Sequence, residues 1–277
     1  MNNKGNNTLK KIGLYILVII GVVISIFPFY WMFIGSTSSS GKILSTPPNL
    51  WPGDQLLTNW KNLNESVDIL RVTFNSIFIA TTFTVLSLSV TSIAGYAFAK
   101  FEFKGRDALF FMLLLALMIP YHVTLIPLFE MFVKLDWLNT YQSVILPQLA
   151  YPFAIFLMRQ NMKGLPDSLI EAARVDGAGE FRIFFTVALP TMRPALAAVA
   201  IYLFMFQWNN FLWPLIILNT NDMYTLPVAL SSLVGLTKVD YGQVMLGAAI
   251  SVIPIMIVFL LLQRHFVSGI LGGAVKE

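Results

Sequence analysis

Between Arg159 and Arg193 stand five basic residues (Arg159, Lys163, Arg174, Arg182, Arg193) and four acidic ones (Asp167, Glu171, Asp176, Glu180). Carboxylates and guanidinium groups interleaved at this spacing suit ion pairing and docking to another protein. They do not suit acid–base catalysis, because no histidine stands among them. Elsewhere the chemistry is sparse. There is no cysteine, which excludes disulfides and thiolate metal sites. His122, in "MIPYHVTLIP", has no carboxylate or second histidine beside it and so no metal or proton-transfer partner. No Ser–His–Asp array, HExxH pair or paired intramembrane aspartates are present, and no GxxxxGK[ST] loop exists to hold a nucleotide. What remains is a set of uncharged polar residues in apolar surroundings: His122, Gln148 in "LPQLAYP", and Gln207, Asn209 and Asn210 in "FMFQWNNFLWPL". Such groups either line a polar solute route or form interhelical hydrogen bonds, each worth about 0.6–2 kcal/mol.

The elements that position these residues are set by composition. Of 277 residues, 57% are hydrophobic and 12% charged, against roughly a quarter charged in soluble domains. Uncharged runs cover 12–41, 72–99, 108–129, 137–158, 194–221 and 241–263. Each is long enough for the roughly 20-residue helix that crosses a bilayer. The expectation is an all-α integral membrane protein with six transmembrane helices. A β-barrel is excluded because its strands alternate polar and apolar residues. The first run is too long for a signal-peptide core and lacks a small-x-small cleavage site, so it reads as a retained helix. Pro120 and Pro127 fall in the third run, Pro147 and Pro152 in the fourth, where they kink helices.

Threading the chain alternately across the bilayer puts 13 Lys and Arg on the side of the N-terminus and 5 on the other. The positive-inside bias then makes both termini and the charged segment cytoplasmic. The outer side receives a loop at about 35–71, whose stretch 42–71 is rich in Pro, Asn, Gly and Trp and reads as irregular. It also receives an apolar stretch, 223–237, that is too short to span. The charged segment reads as a hairpin at about 163–193. Ser168 and Glu171 have capping-box spacing, Gly177 suits the left-handed residue that ends a helix, and a second helix runs from about Glu180 to Ala188, ending before Pro190. Glu171 either caps its own helix through Ser168 or contacts a partner.

The segment "EAARVDGAGEFRIFFTVALPTMRP" resembles the EAA signature of permease subunits in ABC importers, matched here by Glu171, Ala172, Ala173, Asp176, Gly177, Ala178, Leu189 and Pro190. The similarity extends through "MIPYHVTLIPLF", "QWNNFLWPLIIL", "YTLPVAL" and "QRHFVSGILGGAVKE". It narrows the family to maltose-type carbohydrate permeases, in particular the shorter, six-helix partner of their heterodimers. The resemblance implies a type I ABC importer permease (MetI-like) fold in a bacterial cell membrane, with residues 1–11 as a cytoplasmic N-terminus and 12–277 as the permease domain. It implies a second homologous permease, a cytoplasmic ABC ATPase dimer that holds ATP and Mg, and an extracellular or periplasmic solute-binding protein, with no cofactor, metal or nucleic acid on this chain. Glu171, Ala172, Ala173, Asp176, Gly177 and Ala178 would couple to the ATPase, and Gly269, Gly273 and Lys276 of the tail 264–277 would reach it. The tail departs from the family at Leu271 and Glu277. Gln148, His122, Asn209 and Asn210 are the candidate pathway residues for a carbohydrate, or for a non-sugar solute such as glycerol phosphate. An ion-coupled secondary transporter is the competing class, but the apolar runs contain no Asp, Glu, Lys or Arg to couple an ion.

Overall fold

A computed structural model describes residues 3–235 and 239–274, with side chains over 10–235 and 239–263. Among the described residues all regular structure is helical. The principal helices are α1 (Asn3–Ser36), α2 (Leu56–Ser66), α3 (Ile69–Lys100), α4 (Arg106–Ala116), α5 (Tyr121–Lys134), α6 (Tyr141–Ile145), α7 (Pro152–Lys163), α8 (Asp167–Val175), α9 (Glu180–Ile183), α10 (Arg193–Trp208), α11 (Leu212–Ile217), α12 (Leu226–Val234) and α13 (Tyr241–Ala274). Four stretches, Lys10–Ser36, Ile69–Lys100, Arg193–Ile217 and Tyr241–Gln263, are long and apolar enough to cross a membrane.

The third and fourth expected spans are not straight helices. Helices α4 and α5 meet at 97°, and α6 with its 3₁₀ extension meets α7 at 46°; counting each bent pair as one crossing gives six. Prolines cause both breaks. Tyr151 holds extended backbone at the start of α7 because a residue before proline is pushed out of the helical region. Pro120, which donates no hydrogen bond to a preceding turn, holds extended backbone at the start of α5. Pro127 stays inside α5, so it does not break its helix.

The chain forms two compact units. The first comprises Met1–Ile69 and Leu230–Val252. Within it, the stretch expected to be irregular contains the 11-residue helix α2. Asn59, 3% exposed, anchors α2 by donating to the Ser36 and Ser38 carbonyls at 2.8 and 3.0 Å. Polar composition masked this helix because its asparagines look like loop residues until their partners are known. Asp240 fastens the same segment: its carboxylate accepts from Ser40 Oγ at 2.9 Å and Asn62 Nδ2 at 3.1 Å.

The second unit comprises Leu70–Ala229 and Ile253–Glu277. Its core holds Phe83, Phe132, Met158, Met162, Ile183, Leu203 and Trp213. Asn75, fully buried, donates to the Asp222 and Tyr224 carbonyls and accepts from Tyr141 Oη. Helices α3 and α7 cross at Gly95, where an added Cβ would lie 2.6 Å from Met158 Cβ and 2.9 Å from Arg159 N. Close approach at a small residue is how membrane helices gain van der Waals packing without a hydrophobic drive.

Candidate functional site

The charged segment folds as the expected hairpin, with two differences. Helix α8 begins at Asp167 after Pro166, whose extended backbone carries no side-chain cap. Ser168 therefore sits inside the first turn, and the capping box anticipated there does not form. Glu171 is exposed and makes no hydrogen bond or ion pair among the described residues. Of the two roles open to it, capping its own helix is the one the structure removes.

The other end of α8 matches the sequence. Gly177 has φ +79°, its N–H donates to the Arg174 carbonyl, and the Ala178 N–H donates to the Ala173 carbonyl, both at 3.0 Å. These two bonds are the 5→2 and 6→1 pair of a Schellman turn, which satisfies the last carbonyls of the helix. Arg174 Nε donates across the turn to Glu180 Oε1 at 2.7 Å, and this bond holds the guanidinium pKa above its ordinary range. The second limb continues past the expected stop. Residues Phe184–Ala188 form a π turn that leads into a short turn, Leu189–Thr191, which contains Pro190, and the chain then enters α10. A widened turn accommodates the missing proline donor without ending the rod.

The hairpin has two unlike faces. Ile170, Ile183 and Phe184 are buried at 5% exposure or less, and Ala173 and Ala178 pack on the same core. Leu169, Val175, Phe181 and Phe185 stand in solvent, Val175 at 88% and Phe181 at 78%. Glu171, Ala172 and Asp176 share the exposed surface. A rigid element that presents acidic and apolar side chains is suited to insertion into a partner's groove. Of the tail residues, Lys276 lies outside the described residues, and Gly269 and Gly273 fall where only the helical backbone of α13 is described.

All four pathway candidates converge. His122, Gln148, Asn209 and Asn210 line one open cavity of about 1190 Å³, formed where the breaks at Pro120 and Pro152 and the α10–α11 junction face each other. Gln207 does not join them: it is 5% exposed and donates to the Val144 carbonyl at 3.4 Å, which makes it a packing residue. Asn209 Nδ2 is engaged by the Met205 carbonyl at 2.8 Å, whereas Gln148 Oε1 is enclosed with no partner among the described residues.

Sequence reasoning missed the cavity's aromatic wall. Tyr151 packs on Phe206 with ring centroids 4.6 Å apart and on Tyr202 at 6.0 Å. The two tyrosine hydroxyls lie 3.3 Å apart. Separation of about 50 residues between Tyr151 and the two α10 rings hid this wall, and only the prolines hinted at it. Among the described residues, no Asp, Glu, Lys or Arg lines the cavity. Two buried cations beside the hairpin were also missed as anything more than topological signals: Lys100, whose side chain is 5% exposed, and Arg159, at 10%.

Comparison with known proteins accords with this geometry. The family described as binding-protein-dependent transport system inner membrane component matches residues 87–272, which include the hairpin and the cavity. The arabinooligosaccharide transport system permease of Halalkalibacterium halodurans is 40% identical over 256 residues, covering 91% of this chain and 92% of that protein. The lactose transport system permease of Rhizobium radiobacter is 40% identical over 265 residues, 96% of each chain. The sn-glycerol-3-phosphate transport system permease of Agrobacterium fabrum is 32% identical over 274 residues, 96% of this chain and 97% of that one. A solved bacterial ABC transporter involved in import of the acidic polysaccharide alginate shares the fold at a TM-score of 0.81 and 24% identity, covering 94% of this chain and 98% of its own. By family match, by relatives over nearly its whole length and by its apolar helices, this chain belongs to the binding-protein-dependent transport system inner membrane components, the multi-pass membrane permeases of ABC transport systems.

Proposed function

We propose that this chain is a membrane-spanning permease subunit of an ATP-driven, binding-protein-dependent importer of neutral sugars. The observation that carries the proposal is the hairpin at 167–191. Its inner face is fixed to the core, and its outer face leaves Glu171, Val175 and Phe181 exposed. In this scheme the exposed face docks in a cleft of a cytoplasmic ATPase dimer, which binds ATP and Mg and performs all hydrolysis. Closure of the ATPases moves the hairpin as a rigid body and switches the pore between inward- and outward-facing states. A second, homologous permease completes the pore, and a solute-binding protein delivers the sugar from outside. The basic residues gathered on the hairpin side support a cytoplasmic location for it and for both termini.

The cavity supports a neutral polyol over a phosphorylated one. Aromatic faces and uncharged hydrogen-bonding groups suit a sugar ring, while a phosphate entering a low-dielectric site without a cation would bear a large desolvation cost. Uptake in proteoliposomes containing the complete transporter tests this. Labelled lactose or an arabinooligosaccharide should accumulate in an ATP-dependent manner, glycerol 3-phosphate should not, and the purified chain alone should hydrolyse no ATP. Accumulation of glycerol 3-phosphate in preference to both sugars would contradict the sugar assignment.

A further inference from the structure

Most basic residues near the hairpin face water, as topology alone would have them. Lys100 does not. It is the last residue of α3, and its ammonium lies 2.6 Å from Asp167 Oδ1 and 2.5 Å from the Leu165 carbonyl oxygen. Its side chain is 5% exposed while that of Asp167 is 76% exposed. A buried ammonium is costly unless paired and hydrogen-bonded, and both of its acceptors here belong to the base of the coupling hairpin. The pair joins two helix ends with the favourable polarity: a cation at the C-terminus of α3 and a carboxylate in the first turn of α8.

A second tie meets α3 two residues earlier. Arg159, in α7, donates from Nε to the Phe98 carbonyl of α3 at 3.3 Å, and its guanidinium sits 3.8 Å from the Phe110 ring centroid. Just before both ties on α3, Gly95 brings the backbones of α3 and α7 together. Only Gly164, Leu165 and Pro166 separate α7 from α8. Leu165 is 2% exposed, and its carbonyl is the one Lys100 holds. With the linker pinned in this way, a push on α8 passes to the cytoplasmic end of α3 instead of being absorbed in the linker.

We propose that Lys100 is a positioning residue for transport: its bonds to Leu165 and Asp167 form the strut that converts displacement of the hairpin into displacement of the α3 span. The inference rests on the function proposed above, in which the hairpin receives force from an ATPase. Loss of the strut lets the ATPase cycle while the pore follows poorly, so the signature is uncoupling and not simple inactivity.

The test measures ATP hydrolysed per solute imported by the complete transporter in proteoliposomes, with labelled lactose and arabinotriose as probes. Lys100→Met should raise that ratio at least about fivefold, and Lys100→Arg should restore it. Asp167→Asn, which alters a mainly exposed side chain and so puts folding at little risk, should raise the ratio in the same direction. A solute-independent readout accompanies it. Because the chain has no cysteine, nitroxides can be placed at Ser89→Cys and Ser168→Cys alone. Wild type should show one narrow distance in every nucleotide state, and Lys100→Met should broaden it. An unchanged ratio in Lys100→Met and Asp167→Asn, or uptake and ATPase falling in parallel with the label distance still narrow, overturns the strut. Failure of the wild-type complex to couple ATP to either probe overturns instead the function on which the strut rests.

Discussion

Gly177 shows what one residue contributes. An added Cβ there would meet nothing within 4 Å, so its φ of +79° is the whole reason for glycine. A β-branched side chain in the left-handed region costs about 1–2 kcal/mol, whereas asparagine tolerates it. Gly177→Val should therefore loosen the Schellman turn and lower sugar uptake several-fold, with Gly177→Asn close to wild type. Uptake rates and thermal melting of the two variants check this, and equal rates would show that the bend angle is not needed. Gly177 was legible from sequence because a glycine between Asp176 and Ala178, just past an amphipathic helical stretch, fits the left-handed position that closes a helix. Lys100 was not, since nothing in its neighbours distinguishes a buried lysine at a helix end from an ordinary positive-inside residue.

Among elements, α2 was the one hidden by its own composition. Asparagine and tryptophan read as loop, yet Asn59, Asn62 and Ser66 each bond to fixed partners. Asp240 is the anchor most open to titration. Burial opposes its ionisation, but hydrogen bonds from Asn62, Ser40 and the Gly242 and Gln243 N–H groups outweigh that and hold its pKa below the ordinary value of 3.8. A depressed carboxyl stabilises the fold fully above its unfolded pKa and loses that contribution as pH falls through the lower folded value. Hydrogen-exchange protection in residues 40–66, taken relative to the intrinsic rate at each pH, should accordingly hold from neutrality downward and fall only below pH 3.8. Asp240→Asn should remove that acid-dependent step; if the step persists in the variant, another group holds the segment. The prolines at the α4–α5 and α6–α7 breaks were readable as kinks, but a bend of 97° at the first was not, because proline fixes one dihedral and leaves the direction of the next helix to tertiary packing.

For the molecule as a whole, the membrane class, the number of apolar runs and the hairpin were legible in the sequence. Each depends on local pattern. Convergence of His122, Gln148, Asn209 and Asn210 on one cavity depends on where three broken segments turn, and the aromatic wall of Tyr151, Tyr202 and Phe206 could be found only after folding. In the proposed function, the uncharged cavity answers to the hairpin through a mechanical linkage powered by another subunit. That linkage is tested most directly by placing a photoreactive amino acid at Val175, the most exposed apolar side chain of the hairpin, in the intact, transporting complex. Irradiation should yield an adduct with the ATPase subunit in every nucleotide state, at a yield that changes as ATP binds. Efficient uptake with no ATPase adduct in any state would contradict it.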